Sequence, residues 1–347
     1  MSTLATISAV DGPVSYSAAS PKSSSRIVAL DWTKGALILC MVAYHAINYS
    51  AYRPLGFRYL AFLPPSFILI TGFLVGQVYA TKYNADSWKP YVRLAIRGLK
   101  LLLLFTIFNL LNCIFLERNL LDGLLEFAER STVIFLSGNG RTGIFEVLLP
   151  IAYFLLLAPA LLWFRFRFPG SVAVVTIIIF LVCLSLEMNG KSYKNLVLLS
   201  AGFIGVALGL ITMDSIDRLA KSWFLVVPLY AAYRFADYFL GEPYLLQMAG
   251  VVVTVLTLYA CALRFVSVPW LGTEVVTFGQ YSLFAYLAQI ALLRAVVKIA
   301  GGRPGSWLGV ICIASITTAL LFVSVGLLHS LRQRSKLGDK LYRAVFA

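Results

Sequence analysis

Leu245-Leu-Gln-Met-Ala-Gly-Val-Val-Val-Thr-Val-Leu-Thr-Leu-Tyr-Ala-Cys-Ala-Leu-Arg-Phe265 carries a single charge, Arg264, beside its end. About 20 such residues are what a helix needs to cross the hydrocarbon layer of a bilayer. In lipid every backbone N–H and C=O must be paired within the segment, so this stretch reads as a transmembrane helix. The pattern recurs in both directions. Upstream lie Ile27–Tyr49, Tyr59–Ala80, Val92–Phe115, Ile144–Phe164, Val172–Leu186, Leu196–Met213 and Trp223–Leu240. Downstream lie Phe278–Val297 and Trp307–His329. The chain is therefore expected to be all-α: a polytopic transmembrane helical bundle of about ten spans. Leu116–Gly143 is the one long connection, with room for a small extramembrane element.

Composition agrees. Of 347 residues, 60% are hydrophobic and only 13% charged, about half the charged share of a soluble domain. The net charge of +14 would suggest nucleic acid in a soluble protein. Here it is better explained by basic loops and helix ends on the cytoplasmic side, and no nucleic-acid partner is expected. The five cysteines all lie in apolar runs without metal-ligand spacing, so neither a metal site nor a disulfide framework is implied. Residues 1–25 are rich in Ser and Ala, lack the apolar core of a signal peptide, and read as a flexible cytoplasmic tail. Residues 26–330 form the membrane domain and 331–347 a basic cytoplasmic tail.

With ten spans both termini share a side. That side holds Lys22, Arg26, Lys82, Lys89, Arg93, Arg97, Arg165, Arg167, Arg218, Lys221, Arg264 and the basic tail, outnumbering the cations opposite. The expected orientation is N-in, C-in.

Ionisable groups inside spans are costly and face the bundle interior or a watery cavity. In the first span Asp31, Lys34, His45 and Asn48 share a broad stripe, with roughly 16 Å between Lys34 and His45 along the helix. Asp31 and Lys34 could instead sit at the interface with Lys34 snorkelling, and a lone histidine can be a helix-to-helix contact. Arg93, Arg97 and Lys100 share a face of the third span. They suit either membrane anchoring or a bound polyanion such as the phosphates of a nucleotide-bearing cofactor. Glu146 opens the fourth span on the His45 side, available to orient an imidazole, grip a sugar hydroxyl, or pair with Arg141 or Arg118. Arg234 and Asp237 read as a structural ion pair. In the ninth span Gln280 and Gln289 bracket Tyr281 and Tyr286, and Gln289, near mid-membrane, needs partners.

The opening run Arg26-Ile-Val-Ala-Leu-Asp31-Trp-Thr-Lys34-Gly35, with His45 eleven positions after Lys34, resembles the first helix of the integral-membrane acyltransferases. That superfamily includes the type-3 acyltransferases and the periplasmic-glucan succinyltransferases. Lys34 stands in place of the commoner Arg. Phe67-Ile-Leu-Ile-Thr71-Gly72-Phe73 is similar to the family's second helix, and Arg93, Arg97 and Lys100 to its basic cluster, without the usual following Pro. Phe145-Glu146-Val-Leu-Leu-Pro150 resembles a helix of the succinyltransferase branch. Phe278-Gly279-Gln280-Tyr281-Ser282-Leu283 through Tyr286 and Gln289 resembles the late family helix, with Gln289 where many members have His.

The resemblance implies transfer of an acetyl or succinyl group from acyl-CoA (acetyl-CoA or succinyl-CoA) to a hydroxyl of an envelope or extracellular glycan. The implied setting is a bacterial inner membrane. It implies His45 as general base, with Glu146 beside it, and Lys34, Arg93, Arg97 and Lys100 as the donor-phosphate site. Asn48, Tyr286 and Gln289 would meet the acceptor. The competing class is a transporter or flippase of a glycan or lipid-linked intermediate, against which no inverted repeat or clear broken helix stands out. A bundle of this kind can also dimerise through a lipid-facing stripe.

Overall fold

The computed structural model describes residues 27–50, 60–81, 83, 87–117, 119–137, 145–241 and 243–346. Arg118 and Arg141, weighed above as partners of Glu146, lie outside them. Among the described residues there are helices and no strands. The order is α1 (Val28–Asn48), α2 (Leu63–Leu74) running into a π-helical turn (Val75–Ala80), α3 (Lys89–Glu117), α4 (Leu120–Ser137), α5 (Leu148–Arg167), α6 (Ser171–Met188) and α7 (Lys194–Gly209). Then follow α8 (Met213–Lys221), α9 (Trp223–Leu240), α10 (Tyr244–Phe265), α11 (Pro269–Gln280), α12 (Ser282–Ile299), α13 (Trp307–Arg334) and α14 (Lys336–Phe346).

Every stretch expected to span falls on helix, but by length and composition fewer than ten helices pass as spans. Among the described residues seven helices are long and apolar enough to cross a membrane, or eight if α7 and α8 form one bent span. They are α2 with its π turn, α3, α5, α6, α10, α12 and α13. The others fall short for physical reasons. The α1 helix carries Asp31, Lys34 and His45, and α9 carries Arg234 and Asp237. The α7 helix has 16 residues and turns by 102° into α8. The expected ninth span is interrupted at Tyr281, whose φ of −104° and ψ of 25° separate α11 from α12. Arg234 and Asp237 do pair, at 3.4 Å.

Two helix pairs fix the interior. Gly72 of α2 lies against the Gly202 carbonyl of α7, and Gly205 against the Leu69 carbonyl; a side chain at either glycine would overlap main chain. Gly35 of α1 meets the Val275 carbonyl of α11, and Gly279 the Asp31 carbonyl. Small residues let membrane helices approach closely, where dispersion and packing replace the hydrophobic drive available in water. Thus Gly35, Gly72 and Gly279, each inside a motif quoted above, have a packing reason to be glycine. On α6, by contrast, Val174, Ile177, Ile178, Leu181 and Val182 are all exposed. A patch of that size would be a liability in water and is ordinary against lipid tails.

Candidate functional site

A cavity of about 350 Å³ lies between α1, α2, α3, α5, α11, α12 and α14. Lys34, Arg97 and Lys100 all line it, as do Tyr79, Gln280 and Tyr286. Two irregular segments border it: the π turn through Val75 and Tyr79, and the α11–α12 break through Gly279, Gln280 and Ser282. Non-helical backbone at membrane depth persists where it lines a cavity, and π turns cluster at functional sites.

Each cation is held differently. Lys34 donates to the Asp31 carboxylate at 2.9 Å. Asp31 itself is buried at 4% exposure, so the pair neutralises a carboxylate that would be costly alone. Arg97 donates to the Tyr79 hydroxyl at 3.2 Å, and Lys100 to the main-chain carbonyl of Arg343 at 3.1 Å. Arg93 donates to the Tyr83 hydroxyl at 3.1 Å and stays outside the cavity wall. Two of the three cations on the α3 stripe therefore join Lys34. The partners of the three α3 cations, Tyr79, Tyr83 and Arg343, carry no signal in the sequence, since they depend on which helices meet.

Val147, Leu148 and Tyr286 also line the cavity. Glu146 directly precedes Val147. Its charge acts on the phenols of Tyr44 and Tyr286. Glu146 also forms an ion pair with Lys194 at the start of α7, a partner the sequence did not indicate. Phe145 has a φ of 60°, the one non-glycine residue in the left-handed region among those described. It packs against Phe108 and Tyr286 with ring centroids 5.3 and 5.8 Å away. A bulky residue held there costs on the order of 1–3 kcal/mol, and such strain gathers at functional sites.

His45 sits on α1 next to Tyr44, the two rings 5.2 Å apart edge to face. Its Nε2 is buried with no hydrogen-bond partner among the described residues, and no hydrogen bond links it to Glu146. Neither His45 nor Glu146 lines the cavity; both adjoin its Tyr286 end through Tyr44 and Val147. Asn48 is exposed at the end of α1. Gln289 is 1% exposed, and neither its Oε1 nor its Nε2 has a partner among the described residues. Beyond His45, Tyr49 accepts from Arg294 at 2.8 Å, and Arg294 also donates to Asn112 at 3.0 Å, tying the ends of α1, α3 and α12 together.

Chemically, the arrangement is a pocket lined by three cationic groups and the Tyr286 phenol, with a carboxylate and an imidazole next to that phenol's neighbours. Comparison with known proteins gives it a family. No curated protein and no solved structure matches the chain. A family model described as an acyltransferase domain matches residues 27–326, which takes in both ends of the cavity except its α14 edge. The chain belongs to the type-3 acyltransferase family and is a membrane acyltransferase.

Proposed function

We propose that the protein moves an acetyl or succinyl group from acyl-CoA to a hydroxyl of an envelope or extracellular glycan, with His45 as general base. The observation that carries this reading is the single cavity joining Lys34, Arg97 and Lys100 to Tyr286, the neighbour of Glu146. Arg and Lys side chains grip phosphate oxygens through charge-assisted bonds, so the cationic end suits the phosphates of CoA. Arg93, just outside, would meet the donor at the mouth. The roughly 16 Å between Lys34 and His45 is comparable with an extended pantetheine arm.

In the reaction the neutral imidazole of His45 takes the proton of the acceptor hydroxyl as its oxygen attacks the thioester carbonyl. A tetrahedral oxyanion forms and collapses. The C–S bond breaks, the CoA sulfur receives the proton from the imidazolium, and an oxygen ester remains. A buried Nε2 with no partner suits a base that waits for the substrate proton. Glu146 and Asn48 would orient the acceptor, and Tyr286 and Gln289 would line its approach. Eight spans, with α7 and α8 as one bent span, would keep both termini in the cytoplasm of a bacterial inner membrane, admit the donor from the cytosol and present the acceptor outside.

The test is mass spectrometry of envelope glycans from cells making the wild type or His45→Ala at matched levels, with CoA release measured on the purified protein. An acyl ester and CoA release present only with the wild type support the reading. Glycan movement without CoA release would favour a carrier instead.

A further inference from the structure

The C-terminal helix is not accounted for by acyl transfer. Ser335 ends α13 in extended geometry, with φ −125° and ψ 117°, and its hydroxyl accepts from Gly338 N at 3.1 Å, capping α14. Arg332 then clamps the turn. It donates to Asp339 Oδ1 through Nε at 3.0 Å and Nη2 at 2.6 Å, and its guanidinium lies 4.0 Å from the Tyr342 ring centroid. Arg343 holds the other oxygen of Asp339 at 2.7 Å.

Docked this way, α14 shows three stripes. Tyr342 and Phe346 face the bundle; Tyr342 is buried, and Phe346 lines the cavity. Leu337 and Leu341 are exposed, by 67% and 59%, while Val345 borders the cavity beside Phe346. Lys336, Lys340 and Arg343 form a basic stripe on the remaining side. The exposed apolar stripe continues that of α13, where Val323, Leu327 and Leu331 are also exposed. Because α13 is long and apolar enough to span, a helix starting two residues after it lies at the membrane surface. An apolar stripe beside a basic one at that depth matches acyl chains below and anionic headgroups around.

We propose that α14 is an interfacial lid. It binds anionic phospholipid headgroups through Lys336, Lys340 and Arg343, seats Leu337 and Leu341 in the acyl region, and so covers the Lys34–Arg97–Lys100 end of the cavity with Val345 and Phe346. Lys100 reports the closed state, since it is bonded to the Arg343 carbonyl. Lipid that binds the docked helix stabilises the docked position. The lipid contact stands by itself; the effect on donor entry rests on the acyl-CoA reading above.

The test uses the full chain in nanodiscs of phosphatidylcholine alone or mixed with phosphatidylglycerol. Hydrogen exchange of residues 336–346 reads docking. Maleimide labelling of Thr71→Cys, in the cavity wall, against the unsubstituted chain reads access. Anionic lipid is expected to slow both, and K336Q/K340Q to abolish most of that effect, since each basic residue near an anionic surface contributes about fivefold in binding. Exchange and labelling indifferent to lipid charge would overturn the proposal. So would protection that appears only with two copies per disc, which would make a second chain the occupant. Lipid-dependent exchange together with labelling that acyl-CoA never slows would keep the lid and sink the donor reading.

Discussion

Gly279 of α11 lies so close to the Asp31 carbonyl of α1 that a methyl group on it would overlap that oxygen. The contact joins the helix bearing Lys34 and His45 to the helix break that lines the cavity. Gly279→Ala must therefore push main chain apart rather than move a side chain. It is expected to cost at least about 3 kcal/mol, the upper part of the overpacking range, read as a lower melting temperature in detergent. Gly326 in α13 has open space around it, so Gly326→Ala is expected to stabilise by about 1 kcal/mol through helix propensity. Equal melting temperatures for the two variants would contradict this packing.

His45→Gln keeps the length of α1 and a polar side chain while removing the base. We expect kcat for acyl transfer to fall by about 10²–10⁴, the usual contribution of a positioned general base, with donor KM little changed. A fall confined to KM would assign His45 to binding.

Arg97→Gln separates donor binding from folding better than Lys34→Ala, which removes the cation paired with the buried Asp31 carboxylate. Loss of one charge-assisted phosphate contact, about 1.5–3 kcal/mol, predicts a donor KM raised roughly 10- to 100-fold at similar kcat. Arg93→Gln, outside the wall, should shift it less. Isothermal titration with acyl-CoA checks both.

Glu146→Gln removes the ion pair with Lys194, which is part-exposed on both sides and worth little to stability. Its melting temperature should stay near that of the wild type while kcat falls about tenfold, as loss of an orienting contact would give. Unchanged kcat would leave Glu146 a helix-end ion pair only.

The Asp339 carboxyl is held below the usual carboxylate range, first by the hydrogen bond from Arg332 and then by Arg343. A carboxylate with a lowered native pKa stabilises the docked helix above its unfolded value and loses that effect as pH falls through the native one. Protection of residues 336–346 should thus be flat from about pH 8 to pH 5 and fall below about pH 4. Asp339→Asn should be weaker throughout and lack that dependence. A midpoint near neutrality would exclude Asp339 as the titrating clamp.

The sequence by itself determined the helical, membrane-embedded class, because a run such as Leu245–Phe265 has no other way to satisfy its backbone in lipid. It also placed Lys34 and His45 on one helix, since their separation is local and set by helical rise. What it could not supply was whatever depends on neighbours distant in the chain. The breaks at Tyr281 and after Gly209 follow from where main chain can be satisfied by packing, and the same apolar residues read as unbroken spans. Tertiary structure chose Tyr79 for Arg97, Lys194 for Glu146 and the Arg343 carbonyl for Lys100, contacts spanning 18, 48 and 243 positions. It also admitted Lys34, Arg97 and Lys100 to one cavity while leaving Arg93 outside, because a shared helix stripe fixes direction, but only the facing helices decide where the wall ends.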